Sequence, residues 1–218
     1  MNKPCEYNAG HRANASGFAA DRRPPTTGSS MEIQVTPTKL DGVLIVDTAY
    51  RRDERGFFIE TYHRANYEAH GIATTFVQDN HSRSMRGVLR GLHYQAGDAP
   101  QAKFVRCPQG AIYDVAVDIR AGSPTFGQWV GVELSGENMR QLFVPAGFAH
   151  GFVALTDTAD VMYKCDAYYA PHAEGGIRWN DPEIGIEWPI EEPTLSGRDQ
   201  ATPHLRDYLA APAFRHGE

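Results

Sequence analysis

Long apolar runs are missing from this chain. No stretch approaches the roughly 18 apolar residues that a membrane-spanning helix needs, and the N-terminus lacks the apolar core of a signal peptide. A cytoplasmic protein with no membrane partner is expected. Cysteine is scarce: Cys5, Cys107 and Cys165 are an odd number, with no CxxC pair and no Cys–His metal spacing. That excludes a disulfide framework and a zinc module, and predicts reduced, buried thiols. Positive charge is in deficit too, with 21 Lys and Arg against 27 Asp and Glu and a net charge of -6. Nucleic acid is therefore not an expected partner, because phosphate-backbone binding rests on clustered Lys and Arg. A local basic pocket for a small phosphorylated ligand stays compatible with that balance.

What is present is ordinary globular material, 41% hydrophobic and 22% charged over 218 residues. A chain of this length buries about 70% of its unfolded-state surface in one core, so it needs no disulfide or structural metal for stability. Residues 1–30 are rich in Gly, Ala, Ser, Asn and Pro without any period, and read as a flexible extension. Residues 31–205 read as one domain, and 206–218 as a C-terminal tail.

Within the domain, short alternating segments are punctuated by turn residues. "EIQVT", "GVLIVD", "FFIETY", "TFVQDNH", "VLRGLHYQ", "AKFVRC", "AIYDVAVDIR", "QWVGVELS", "RQLFVP", "HGFVAL" and "VMYKCDAYY" are separated by "DERG", "AGDAP", "AGSPTFG", "SGEN" and "PAGFAHG". This rhythm predicts a mainly β sandwich or barrel and not βαβ units. Helical pattern is confined to "RANYEAHG", closed by Gly71, and to "PHLRDYLAA". In "AIYDVAVDIR", alternation puts Tyr113, Val115, Val117 and Ile119 on one face and Ile112, Asp114, Ala116 and Asp118 on the other. Two readings stay open for the acids: a barrel interior that holds polar groups, or an outer strand facing solvent.

"PAGFAHGF", residues 145–152, resembles the second motif of cupins, small double-stranded β-helix (jelly-roll) barrels in which a Pro-x-Gly turn precedes an inward His. Metal-binding cupins also carry a His-x-His pair in their first motif. Here His93 in "GLHYQ" is followed by Tyr94 and Gln95, so a three- or four-ligand site is poorly supplied and a metal-free pocket is expected.

Longer blocks make the resemblance specific. "DERGFFIETY", "FVQDNHS", "VLRGLHYQ", "KFVRC", "YDVAVDIRAGSPTFGQWVGVELS", "RQLFVPAGFAHGF", "VMYKC" and "LSGRDQATP", in that order over about residues 32–204, resemble the TDP-4-dehydrorhamnose 3,5-epimerase family. The resemblance implies a cupin-fold homodimer that inverts carbons 3 and 5 of TDP-4-keto-6-deoxy-glucose without a cofactor. Both carbons flank the 4-ketone, so their protons are acidic; the reaction asks for a base, an acid on the opposite face and a cation at the ketone oxygen.

Position by position, the resemblance makes His93 the base, Tyr163 the acid, Asp199 the carboxylate paired with the base, and Lys103 the cation. It assigns substrate contacts to Arg55, Glu60, Gln78, Asp79, Asn80, Arg90, His150, Glu174 and Arg198, the arginines suiting a diphosphate through their bidentate fork. Tyr169 corresponds to the aromatic that stacks on thymine. Arg198 stands where some relatives carry Lys. His63, His70, His81, His172, His204 and His216 read as ordinary structural or surface histidines. A single-carbon epimerase, a relative acting on another nucleotide sugar, a non-catalytic nucleotide-sugar-binding cupin and a metal-dependent cupin are the alternative readings.

Overall fold

The computed structural model describes residues 31–217, so the expected N-terminal extension lies outside the described residues. The first strands are β1 (Ile33–Pro37), β2 (Leu44–Thr48), β3 (Tyr50–Asp53) and β4 (Gly56–Ile59), followed by helix α1 (Arg64–Ala69). Then come β5 (Gln78–Met85), β6 (Leu89–Gln95), β7 (Lys103–Gln109), β8 (Ala111–Asp118) and β9 (Trp129–Ser135). The chain continues with β10 (Gln141–Val144), β11 (Phe148–Ala154), β12 (Thr158–Cys165) and β13 (Glu174–Gly176), and ends in helices α2 (Gly197–Gln200) and α3 (Leu205–Leu209).

These strands build two antiparallel sheets, ordered β1-β2-β10-β7-β12-β5 and β13-β6-β11-β8-β9, with β3 and β4 forming a separate hairpin. One apolar cluster joins the inner faces of both: Val105, Leu142 and Val161 from the first sheet meet Ile112, Ala116, Leu134, Phe148 and Phe152 from the second. Two facing sheets sharing one interior are a β barrel of the kind that the turn rhythm predicts, in the jelly-roll form that the cupin resemblance implies.

Both outer faces are partly covered. Ile33, Val46, Phe104 and Phe143 lie under Tyr67 of α1 and Ile72. Val115, Val117, Ile119 and Leu92 lie under Ile177, Ile184, Leu205 and Tyr208. The expected domain boundary falls at residue 205. It cuts α3, whose Tyr208 hydroxyl donates to the Ile119 carbonyl at 2.8 Å. The segment beyond it is packed against the barrel, since the apolar face of β8 would otherwise be left in water.

Alternation also decides the two acids of β8. Asp114 and Asp118 are fully buried, on the same face as Ala116 of the inner cluster. The solvent-facing reading is excluded. Asp118 is neutralised locally, accepting from Arg120 Nη2 at 2.7 Å, Ser123 Oγ at 2.6 Å and Thr125 Oγ1 at 2.6 Å.

Three segments differ from the sequence pattern. β5 runs on through "SRSM" to Met85; its polar composition hides a strand, because one face lines a polar interior and the other meets solvent. β11 begins at Phe148, not His150, so only Pro145–Gly147 belongs to the turn. β13, "EGG", carries no hydrophobic signal and exists through its pairing with β6.

Candidate active site

The site is organised by an irregularity in β6. His93 pairs with His150 and Arg90 with Phe152, so three steps along β6 match two along β11. In a regular strand Arg90 and His93 would face opposite ways; this bulge turns both to the inner face, where Phe152 packs. Glycine makes it possible. A Cβ on Gly91, whose φ is +144°, would sit 2.6 Å from the Gly151 Cα. Leu92 between them is buried on the outer face.

His93 Nε2 lies 2.6 Å from Asp199 Oδ1. An ionised carboxylate only accepts, so Nε2 carries the proton and Nδ1 keeps a free lone pair. Asp199 comes from α2, where Ser196 caps the helix by accepting from the Asp199 N–H at 3.1 Å. The Thr202 hydroxyl donates to the Asp199 carbonyl at 2.9 Å. Burial alone would raise the Asp199 carboxyl, but the hydrogen bond from His93, and its positive charge when the imidazole is protonated, outweigh it and hold it below the usual carboxylate range.

The opposite wall supplies Lys103 and Tyr163. Tyr163 pairs with Val105 of β7 and with Asn80 of β5, and packs against the inner cluster. Lys103 shares its face with Val105 and Cys107 of the same strand. Burial raises the Tyr163 hydroxyl above its ordinary value, so it stays protonated. Burial lowers the Lys103 ammonium, and the negative charges of Asp114 and Glu174 partly offset that effect. An imidazole with a free lone pair on one wall thus faces a phenol and an ammonium on the other.

A second imidazole–carboxylate pair sits beside the first: His150 Nε2 is 2.8 Å from Asp114 Oδ1. Asp114 Oδ2 and Ser82 Oγ are buried with no hydrogen-bond partner among the described residues, which marks an interior built to receive polar groups. Asp114 is a site residue that the motif matching passed over. The alternation in β8 had already flagged it, and its place next to the strand of His150 was the missing signal.

At the rim, the Tyr169 hydroxyl donates to Glu174 Oε2 at 2.9 Å, and Arg198 Nη2 lies 2.6 Å from Glu174 Oε1. Gln78 accepts from the Tyr169 N–H at 3.0 Å and donates to Asn80 Oδ1 at 3.1 Å. Arg90 Nε donates to Ser84 Oγ at 3.1 Å.

Three sequence-predicted residues are not gathered here. Asp79, the strand neighbour of Gln78 and Asn80, points the other way and pairs with Lys164 at 3.0 Å. Arg55 sits in the exposed β3–β4 hairpin and pairs with Asp53. The Glu60 N–H donates to Met31 Sδ at 3.4 Å, and its charge acts on Tyr67, which covers the outer face of the first sheet.

Among the described residues no three His, Cys, Asp or Glu side chains are arranged to hold a metal ion, and no helix is long and apolar enough to cross a membrane. Fold and site together define a cupin-type barrel equipped for proton transfer. A sequence model described as dTDP-4-dehydrorhamnose 3,5-epimerase matches residues 37–207. The dTDP-4-dehydrorhamnose 3,5-epimerase of Salmonella typhimurium is 56% identical over 177 residues, 80% of this chain and 97% of that protein. A dTDP-4-dehydrorhamnose 3-epimerase of Streptomyces niveus is 40% identical over 77% of this chain and 82% of its own length. The crystal structure of the dTDP-6-deoxy-D-glucose-3,5-epimerase of Legionella pneumophila, in complex with dTDP-4-keto-L-rhamnose, superposes with a TM-score of 0.82 at 48% identity. It covers 86% of this chain and 100% of that one. The chain belongs to the dTDP-4-dehydrorhamnose 3,5-epimerase family, and it is a carbohydrate epimerase.

Proposed function

We propose that this epimerase inverts carbons 3 and 5 of dTDP-4-keto-6-deoxyglucose through an enolate, with His93 as base and Tyr163 as acid. His93 Nδ1 takes the proton from the carbon beside the ketone, and the C–H electron pair moves onto the ketone oxygen. Lys103 stabilises that oxyanion. Tyr163 then delivers its proton to the opposite face of the same carbon and is reprotonated from solvent, while His93 releases its proton to solvent. The same pair serves the second carbon once the ring has been turned. The observation that carries this reading is the His93–Asp199 pair at 2.6 Å, on the wall opposite Tyr163.

The nucleotide end is assigned to the rim. Tyr169 is half exposed beside Glu174 and Arg198, which suits base stacking and a charge-assisted grip on the diphosphate. Gln78, Asn80, Arg90 and His150 line the way inward. Arg55 and Glu60 reach a site only if the chain is a homodimer in which the hairpin of one protomer completes the barrel of the other. The exposure of Phe57 and Phe58 on that hairpin supports this arrangement. Free, buried Cys107 and Cys165 fit the reducing cytoplasm.

The test is turnover of dTDP-4-keto-6-deoxyglucose in deuterium oxide, followed by NMR. Label and inversion at both carbons are expected. Label and inversion confined to carbon 3, the activity named for the 40%-identical relative, would replace this reading with a single-carbon epimerase. Tight binding without label at either carbon would replace it with a binding module.

A further inference from the structure

Cys165 has no part in the reaction as written, yet its side chain is fully buried and it is the cross-strand partner of Lys103. Its sulfur ends a hydrogen-bond chain that starts at the rim. The Tyr169 N–H donates to Gln78 Oε1 at 3.0 Å, Gln78 Nε2 to Asn80 Oδ1 at 3.1 Å, and Asn80 Nδ2 to Cys165 Sγ at 3.6 Å. The last two links lie along β5 and at the end of β12, and Asn80 is the cross-strand partner of Tyr163.

Lys103 itself makes no ion pair among the described residues. A cation meant for an enolate oxygen has to stay free in that way, because a neighbouring carboxylate would hold it in the ground state and leave less attraction for the charge that develops during reaction. The neighbour therefore has to be small, uncharged and able to anchor Asn80.

We propose that Cys165 is a positioning residue for the ketone-binding cation: it fixes Asn80 on the lumen wall and keeps the space beside Lys103 free of a competing anion. The inference rests on the assignment of Lys103 to the ketone oxygen. Burial pushes the Cys165 thiol up to about 11, so it is neutral throughout the working range. Other charged or titratable groups acting on Lys103 are Asp114 from β8, Glu174 from β13 and Arg198 from α2. Asp114 is already engaged by His150 and Glu174 by Arg198.

Cys165→Ser, Cys165→Ala and Cys165→Asp are compared with wild type for kcat, KM and the pH dependence of kcat, with calorimetric dTDP binding as the check of folding. Serine keeps a small acceptor for Asn80, and kcat is expected within about threefold of wild type. Alanine removes the acceptor, and a loss of roughly three- to tenfold in kcat with little change in KM is expected, the worth of one hydrogen bond. Aspartate supplies the competing anion, and about a hundredfold loss in kcat is expected, comparable to deleting one oxyanion donor.

Aspartate also moves the alkaline limb of kcat in a direction that simple damage to packing does not. Burial lowers Lys103 and raises Tyr163, which moves the titration of Lys103 toward the working range and that of Tyr163 away from it. A carboxylate beside Lys103 favours its charged form and shifts the limb to higher pH. An unmoved limb in Cys165→Asp, or equal losses in the serine and alanine variants, overturns the inference. If Cys165→Asp fails to bind dTDP, the serine–alanine comparison decides alone. Lys103→Met is the separate control: if that enzyme keeps its kcat, the assignment of Lys103 fails, whatever Cys165 does.

Discussion

Replacing Asp199 by Asn keeps the shape of the side chain and removes its charge, which isolates the electrostatic part of the proposed dyad. When His93 accepts a substrate proton it becomes an imidazolium beside a carboxylate that is almost wholly buried. Nε2 and Oδ1 are 2.6 Å apart. The charge centres then lie about 4 Å apart, where an effective dielectric constant of about 20 gives an attraction of about 4 kcal/mol. If that stabilisation is present only as the proton is transferred, losing it costs about a thousandfold in kcat. KM should barely change, because neutral His93 in the ground state gains little from the charge. The assay is deuterium wash-in at carbons 3 and 5, read by NMR under single-turnover conditions beside steady-state kcat and KM. A loss below about tenfold, or one expressed in KM, would refute the reasoning. Stability gives a second readout. The Asp199 pKa is depressed in the folded state, so its stabilising effect is present above the ordinary carboxylate value of 3.8 and is lost as pH falls through the folded value. Asp199→Asn should show a shallower acid decline in thermal midpoint than wild type.

Tyr163→Phe should lower epimerisation by about 100- to 10,000-fold yet leave deuterium wash-in with retained configuration, since His93 still removes and returns protons on its own face; loss of wash-in as well would mean that Tyr163 is not simply the acid. Asp118 is held at about 2 because Arg120, Ser123 and Thr125 outweigh the cost of its burial. Asp118→Asn should therefore lose about 2 kcal/mol at neutral pH, a difference that shrinks as pH falls below 3.8 toward 2, as chemical denaturation at several pH values would show. For the homodimer, Arg55→Ala and His93→Ala proteins that are each impaired should recover about a quarter of wild-type activity when unfolded and refolded together, because only mixed dimers carry one complete site. No recovery would place Arg55 outside the partner's site.

The division between sequence and structure runs along one physical line. Period-two alternation states which residues share a face of a strand, and that is local information: it grouped Asp114 with Asp118, and it separates Gln78 and Asn80 from Asp79. It does not state which face is the interior. For β8 that was decided by the second sheet closing over Ala116 and by the C-terminal segment covering Val115, Val117 and Ile119. Turn residues at regular spacing were enough to define an all-β sandwich or barrel, and eight motif blocks in order were enough to point to the family and to single out His93, Tyr163, Lys103 and Asp199 as candidates.

Tertiary structure alone joined His93 to Asp199 across a separation of 106 residues. It alone turned Arg90 and His93 to one face through a bulge that strict alternation forbids, and joined Asp114 to His150. It also held the Arg55 hairpin away from its own barrel. Such pairings depend on which strands become neighbours, and strand neighbours are chosen by the burial of whole faces. Residue types and spacing therefore determine what chemistry this protein has available, and the closure of two sheets decides which groups meet to perform it.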